Sequence, residues 1–390
     1  MNTIWYMPLE AVKSRYTHQL STIWAPKAFE LALYDKKDSW QFVSVTGEEV
    51  EPVIKVGQIL DATGRGIYSL SQMSNLLKAI RDGRFVDGDV IYLQDFWTPG
   101  LEAIYYALDL YGYKKVRVYA TNWAQSMDEF DFTHNMLPWI RHYELGNDSR
   151  LAGMFVGSTI HRDQIKKAGF KAPVHVVALP FSSTEIYDRL SVTADTLAKD
   201  SDFSQRQNRV IFSSRVDREK NPIFMVQVAE RWLNNNPSWS WTVTTSAPSF
   251  RSNMPGALEA MQSLADRNPR FQLFSNLTKD EYYHLLRTSK LQFNSSLQDY
   301  VAFTMLEATA LGCEIAYPNF RSFPECVPAD RLYDAFSVED AVQVMTNALY
   351  SRRFHQRAYM TANNCMMNIA RIILYNHTVE YNIWENTNNG

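Results

Sequence analysis

The chain has 390 residues and a formal net charge of −3, enough length for two domains of about 180 to 200 residues, each with its own core. The near-balanced charge excludes a global attraction to nucleic acid or anionic membrane and leaves only local basic patches for such contacts. Three cysteines, Cys313, Cys326 and Cys365, fall in no Cys-x-x-Cys or Cys/His spacing, which argues against zinc and disulfides and predicts a reducing, cytoplasmic setting.

No apolar run approaches the roughly eighteen residues of a spanning helix, and MNTIWYMPLE, without a basic start or a cleavage site, reads as a first strand rather than a signal peptide. Short apolar runs then alternate with amphipathic segments, the pattern of a parallel α/β sheet with helices on both faces. In a first block, strands are predicted at Thr3 to Pro8, Gln41 to Val45, Gly57 to Asp61, Val90 to Leu93, Val116 to Thr121, Met154 to Gly157 and Val174 to Leu179. Helices are predicted between them at Thr17 to Leu33, Ser69 to Asp82, Thr98 to Tyr111, Thr133 to Glu144 and Thr159 to Ala168. Asp61 to Gly66, with its Gly-x-Gly, follows a strand without continuing as a dinucleotide fingerprint and reads as a loop. Asp87-Gly88-Asp89 imitates a metal-binding Asp-x-Asp but precedes a strand, so it reads as a turn. G-x-S-x-G, H-E-x-x-H and P-loop signatures are absent from the sequence.

Polar Ser182 to Asn208 reads as a linker, after which the pattern restarts. Strands are predicted at Arg209 to Phe212, Ser240 to Thr245, Gln272 to Phe274, Leu291 to Phe293 and Glu314 to Tyr317. The helices fall at Pro222 to Asn234, Gly256 to Asp266, Lys279 to Thr288, Phe303 to Leu311 and Val338 to Leu349, with a long aromatic-rich helix from Arg352 to Asn376. The predicted domains are 1–181, a linker at 182–208, 209–351, and a C-terminal helical segment at 352–390.

Two stretches carry chemistry. In Val210-Ile-Phe-Ser-Ser-Arg-Val-Asp-Arg-Glu-Lys-Asn-Pro222, Arg215 emerges at the end of a strand and Lys220 sits before a helix for which Asn221 is a reasonable cap and Pro222 a first residue. Arg offers a planar fork and Lys a point charge, a pair suited to a diphosphate without a metal. In Ser295 to Pro318, Asp299 and Glu307 flank a helix start that would offer the backbone N–H groups of Phe303 and Thr304 to a phosphate. Each alone also reads as a solvated charge.

Together and in this order, the two stretches resemble the donor site of the retaining GT-B glycosyltransferases. The resemblance implies two Rossmann-like domains facing a central cleft, with a C-terminal helix crossing back to the first. It implies a nucleotide-sugar co-substrate, a UDP-sugar being favoured, and no cofactor, metal or membrane span. Arg215, Lys220 and Asp299 would be the catalytic groups, with Phe303, Thr304 and Glu307 completing the donor site and Glu307 on the ribose. Asp299 stands where the family usually has Glu, and Tyr300-Val301-Ala302 replaces a Gly-aromatic-Gly run.

Ligands of open α/β sheets bind beyond the carboxyl ends of the strands, which puts the acceptor on the first domain. After the first strand the family often has a glycine-rich loop. This chain has none between Pro8 and Thr17, so Arg15 and Thr17 either replace those contacts or belong to a capped helix. Asn122 or Trp123 stands where many members place a His, and Asp128, Asp131 and His134 follow. Gln94 and Asp95 lie at another strand end, where Phe96 and Trp97 offer stacking surfaces. Asp131 also reads as an N-cap. Two acceptor classes fit: a glycan, lipid or small molecule, or hydroxymethylated cytosine in double-stranded phage DNA, since T-even-type phages carry GT-B transferases of similar size. A non-catalytic GT-B-like binding protein is the remaining alternative.

Overall fold

The computed structural model describes residues 1–10, 16–51, 53, 61–178, 181–300, 302–351 and 365–375. Its residues form two compact units, Met1–Pro180 with the later helix Cys365–Tyr375, and Phe181–Asn363.

The first unit is a six-stranded parallel sheet of β1 (Asn2–Met7), β2 (Trp40–Ser44), β3 (Val90–Leu93), β4 (Arg117–Thr121), β5 (Leu151–Val156) and β6 (Val174–Val176), in the order β2-β1-β3-β4-β5-β6. β1 is buried along nearly its whole length because helices cover both faces. Trp5 and Met7 pack with Leu76, Ile80, Leu101 and Ile104 from the helices Ala62–Arg81 and Leu101–Leu110. Ile4 and Tyr6 pack on the opposite face with Phe29 and with Cys365, Ile369 and Ile373 of the C-terminal helix.

The second sheet comprises β7 (Gln207–Phe212), β8 (Ser240–Thr244), β9 (Phe271–Phe274), β10 (Ser289–Phe293), β11 (Glu314–Pro318) and β12 (Leu332–Tyr333), also parallel, in the order β12-β11-β10-β7-β8-β9. Counted from its own first strand this is 3-2-1-4-5-6, the doubly wound order, with the chain reversing direction across the sheet between β7 and β10. Its core packs Trp241 against Phe293 and Phe293 against Tyr333, with ring centroids 5.3 and 5.4 Å apart.

Several predicted elements change. The strand predicted at Gly57 to Asp61 lies outside the described residues except for Asp61, which is an N-cap: its carboxylate accepts from the Thr63 and Gly64 amides, and the predicted loop is the first turn of the helix Ala62–Arg81. The helix predicted from Thr17 to Leu33 contains a π-helical turn, Leu20–Trp24. Pro26 has no N–H for the carbonyl four residues back, and Ala25 N–H bonds to Leu20 instead. The polar stretch after Ser182 carries three short helices, Thr184–Leu190, Ala194–Ala198 and Asp200–Ser204. β12 was not predicted, since two residues give no periodic signal.

Candidate functional site

In the second unit, β7 ends at Phe212 and β10 at Phe293, so their loops leave the sheet side by side at the point where the winding reverses. The two loops are bonded together: Leu297 N–H donates to the Glu219 carbonyl at 2.8 Å, and Ser295 Oγ donates to the Lys220 carbonyl at 2.7 Å. Lys220 is buried on a 3₁₀ turn, Arg218–Lys220, and its Nζ donates to Asp299 Oδ2 at 2.7 Å and to the Gln298 carbonyl at 2.9 Å. Ser296 Oγ donates to the same Asp299 oxygen at 3.0 Å.

Arg215 is the most exposed of the charged groups here, its side chain 40% accessible. Nη1 meets Asp217 at 2.5 Å and Nη2 pairs with Glu219. Sequence reasoning assigned Asp217 and Glu219 no role; their spacing from Arg215, two and four residues on, is the signal that was present. Asn221 does start the helix Pro222–Asn235, but through a left-handed backbone (φ 49°) rather than a side-chain cap, so its capping role is corrected.

The helix Phe303–Ala310 begins after Ala302, and the Tyr317 hydroxyl donates to Gln292 Oε1 at 2.8 Å. The helix ends in a Schellman motif, in which Gly312 at φ +75° donates to Thr309 and Cys313 donates to Ala308. Glu307 sits inside this helix, 6% exposed. Its Oε1 accepts from Lys279 Nζ at 2.5 Å and from Tyr283 OH at 3.3 Å, both on the helix Lys279–Thr288. Lys279 also lies over the Tyr282 and Tyr283 rings. Lys279 and Tyr283 were missed, because nothing local in the sequence ties them to Glu307.

In the first unit the winding reverses between β1 and β3. Gln94, directly after β3, is buried, and its Oε1 accepts from Leu9 N–H at 2.8 Å, Tyr6 OH at 2.6 Å and Ser21 Oγ at 3.1 Å. Its Nε2 and the Thr17 hydroxyl are buried without a partner among the described residues. Asp95 pairs with Arg65 at 3.3 Å, and Arg65 with Glu10 at 2.8 Å. Burial raises the Asp95 carboxyl to about 6 despite the Arg65 guanidinium, which pulls the other way. Trp97 stacks on Tyr143 with centroids 5.4 Å apart. Arg65 and Glu10 meet Asp95 only in three dimensions, so sequence reading passed over them.

Phe96, expected as a stacking surface, is fully buried in the core behind β3 and has no face to offer. Asn122 is buried, with its Oδ1 accepting from Ala124 N–H at 3.0 Å. Trp123 Nε1 donates to the Gln94 carbonyl at 2.7 Å. Asp128 accepts from Phe130 N–H, and Asp131 caps the 3₁₀ turn Phe132–Met136 by accepting from the Thr133 amide and hydroxyl. Burial raises the Asp131 carboxyl to about 7, with nearby Asp128 adding to the shift. His134 Nδ1 lies 2.9 Å from the Ser126 carbonyl. Arg15 lies outside the described residues.

Asp87-Gly88-Asp89 is the expected turn. Buried Asp89 accepts from Thr3 N–H, Trp5 Nε1 and Val86 N–H, and Asp87 accepts from Lys115 N–H. Among the described residues no three His, Cys, Asp or Glu side chains group closely enough to hold a metal, and no helix is long and apolar enough to cross a membrane.

No family model matches the chain. Among solved structures it resembles a glycosyltransferase from Rickettsia africae with a TM-score of 0.59 and 13% identity, over 96% of this chain and 99% of that one. The chain has the GT-B fold. A second GT-B neighbour is the pneumococcal O-GlcNAc transferase GtfA, solved with UDP and GlcNAc, at a TM-score of 0.52 and 12% identity over 79% of this chain and 59% of that one. In sequence, 137 residues are 26% identical to a Drosophila melanogaster tRNA-queuosine alpha-mannosyltransferase, covering 34% of each protein, so the match spans about a third of that curated relative. Within the GT-B frame, the loops after β7 and β10 belong to the second Rossmann-like unit; Lys220 and Asp299 meet there, and Arg215 lies on the same β7 loop.

Proposed function

We propose that this chain is a glycosyltransferase that moves a sugar from a nucleotide sugar to a hydroxyl of a modified nucleoside, with retention and without a metal. The observation that carries the reading is the Lys220–Asp299 pair, with Arg215 on the same β7 loop, where the second sheet reverses its winding. That is where doubly wound folds bind phosphorylated ligands. Arg215 and Lys220 stabilise the leaving nucleoside diphosphate, and Asp299, steadied by Lys220 and Ser296, holds sugar hydroxyls. The bond from the anomeric carbon to the phosphate oxygen breaks, the acceptor oxygen bonds to the same carbon from the same face, and its proton passes to the departing phosphate oxygen. No separate base is required. Glu307, steered by Lys279 and Tyr283, takes the ribose. A UDP-sugar is the favoured donor, in keeping with the UDP bound by the structural neighbour GtfA.

A nucleoside acceptor is supported by a stretch of 137 residues that is similar to a tRNA-queuosine alpha-mannosyltransferase. On the first unit, Asp95 and Glu10 beside Arg65, with the Trp97–Tyr143 stack adjoining, supply hydroxyl acceptors next to an aromatic surface.

The test is nucleoside diphosphate release from a panel of UDP-, GDP- and ADP-sugars, each with tRNA, with hydroxymethylcytosine duplex DNA, and with neither. Release from one donor, stimulated by one of the nucleic acids, is the expected result. Release indifferent to both would move the acceptor to a glycan, lipid or small molecule. No release from any donor would overturn the transferase reading in favour of a binding protein.

A further inference from the structure

The opposite edge of the second sheet, where its strands begin, carries a second constellation of charge. Arg206 immediately precedes β7, Arg270 immediately precedes β9, and Lys290 is the second residue of β10. With Trp239 they line an open depression of about 560 Å³ in which no acidic side chain takes part. β7 is six residues long, so about 20 Å of strand separates this edge from Arg215 and Lys220.

Most of these cations are satisfied by neutral oxygens. Arg270 Nη1 donates to the carbonyls of Asn236 at 3.0 Å and Trp239 at 3.4 Å, and Lys290 Nζ donates to Asn208 Oδ1 at 2.7 Å. Neither has a carboxylate within ion-pair distance among the described residues. Arg206 does have one, Asp202, but shares it with Arg287, so two guanidinium groups face one carboxylate. Arg209 pairs in the sheet with Ser240, which lines the depression, but its guanidinium turns to Ser289 Oγ and Gln207 Oε1 and is not part of the lining.

A carbonyl satisfies a donor without cancelling its charge, and a concave surface over low-dielectric protein focuses the uncompensated field outward. Guanidinium forks and an ammonium at one mouth match the oxygens of a phosphate group.

We propose that this depression is a phosphate-ester site, formed by Arg270 and Lys290 with Arg206 in support, separate from the donor crevice. The phosphate comes either from the phosphodiester chain of a nucleic acid or from a small phosphorylated molecule. The inference does not rest on the transferase reading, because its test is binding rather than turnover.

The full chain is titrated at low salt with a fluorescent single-stranded oligonucleotide and, separately, with inorganic pyrophosphate. The wild type is compared with Arg270→Gln/Lys290→Gln and with Lys290→Gln alone. Because Arg270 also closes the turn after the helix Pro222–Asn235, circular dichroism checks the fold of the double variant, and the single variant keeps the test valid if that fold is lost. The expected result is saturable binding by the wild type, weakened about tenfold or more in the double variant. For the oligonucleotide, the dependence of log affinity on log salt flattens by about two in the double variant and about one in the single. Tight oligonucleotide binding that pyrophosphate displaces only at high concentration assigns the site to nucleic acid. Saturable pyrophosphate binding that the double variant weakens, without oligonucleotide affinity, assigns it to a small phosphate. Nucleoside diphosphate release without nucleic acid is unchanged in both variants. Failure of the wild type to bind either probe, or equal binding by a folded variant, overturns the proposal.

Discussion

Arg215 is held by two carboxylates from its own loop, with Nη1 and Nη2 both engaged, so the loop sets its direction before any donor arrives. Arg215→Ala is expected to lower kcat/KM for the nucleotide sugar by about 10²- to 10³-fold, with Arg215→Lys recovering part of the loss; an unchanged kcat/KM would remove Arg215 from the site. Asp131 makes a different kind of prediction. Its folded value of about 7 lies above the ordinary 3.8, so the folded chain keeps a proton that the unfolded chain loses between those values. The contribution of this group to stability is therefore greatest below about pH 4, falls as pH rises towards 7, and levels off above, by a total on the order of a few kcal/mol. Asp131→Asn keeps an oxygen for Thr133 and should remove that component of the pH dependence, so that the variant gains stability relative to the wild type as pH rises from about 4 to 8; a loss of equal size at every pH would contradict it. At this scale the sequence reading singled out Arg215, Lys220, Asp299 and Glu307 as candidates from their local stretches. It missed Lys279, Arg65 and Glu10, whose partners lie tens of residues away.

At the scale of elements, the helix Lys279–Thr288 was legible to its last residue because its start is encoded locally. Thr278 and Glu281 form a capping box, each bonding the other's backbone N–H. Thr278→Ala is expected to cost about 1 kcal/mol in urea denaturation. Because this helix carries Lys279 and Tyr283, the variant should raise the KM for donor more than it lowers kcat; equal changes in both would separate the helix from the ribose contact proposed for Glu307. The helix around Leu20 was misjudged at its centre. Its π turn depends on Pro26 and on Ser21, which bonds both the Leu9 carbonyl and Gln94, and Gln94 lies in the loop after β3, more than seventy residues away.

At the scale of the molecule, the C-terminal helix Cys365–Tyr375 completes the first unit by burying Ile369 and Ile373 over Ile4, Tyr6 and Phe29. Ile369→Ala should cost about 2 to 5 kcal/mol in the first unit, splitting thermal unfolding so that the second unit melts at its wild-type temperature. A uniform shift of the whole transition would show the two units to be one cooperative block. The sequence by itself determined the class of the fold and most strand positions, because periodicity, caps and turn residues act within a few neighbours. It also determined the two stretches that carry Arg215, Lys220, Asp299 and Glu307. The tertiary structure alone decided the strand order, the meeting of the β7 and β10 loops, the fully buried setting of Phe96, and the gathering of Arg270 and Lys290 at the opposite edge. Each of those depends on which strands lie side by side, a choice made by burial over the whole sheet and not by any local stretch of chain.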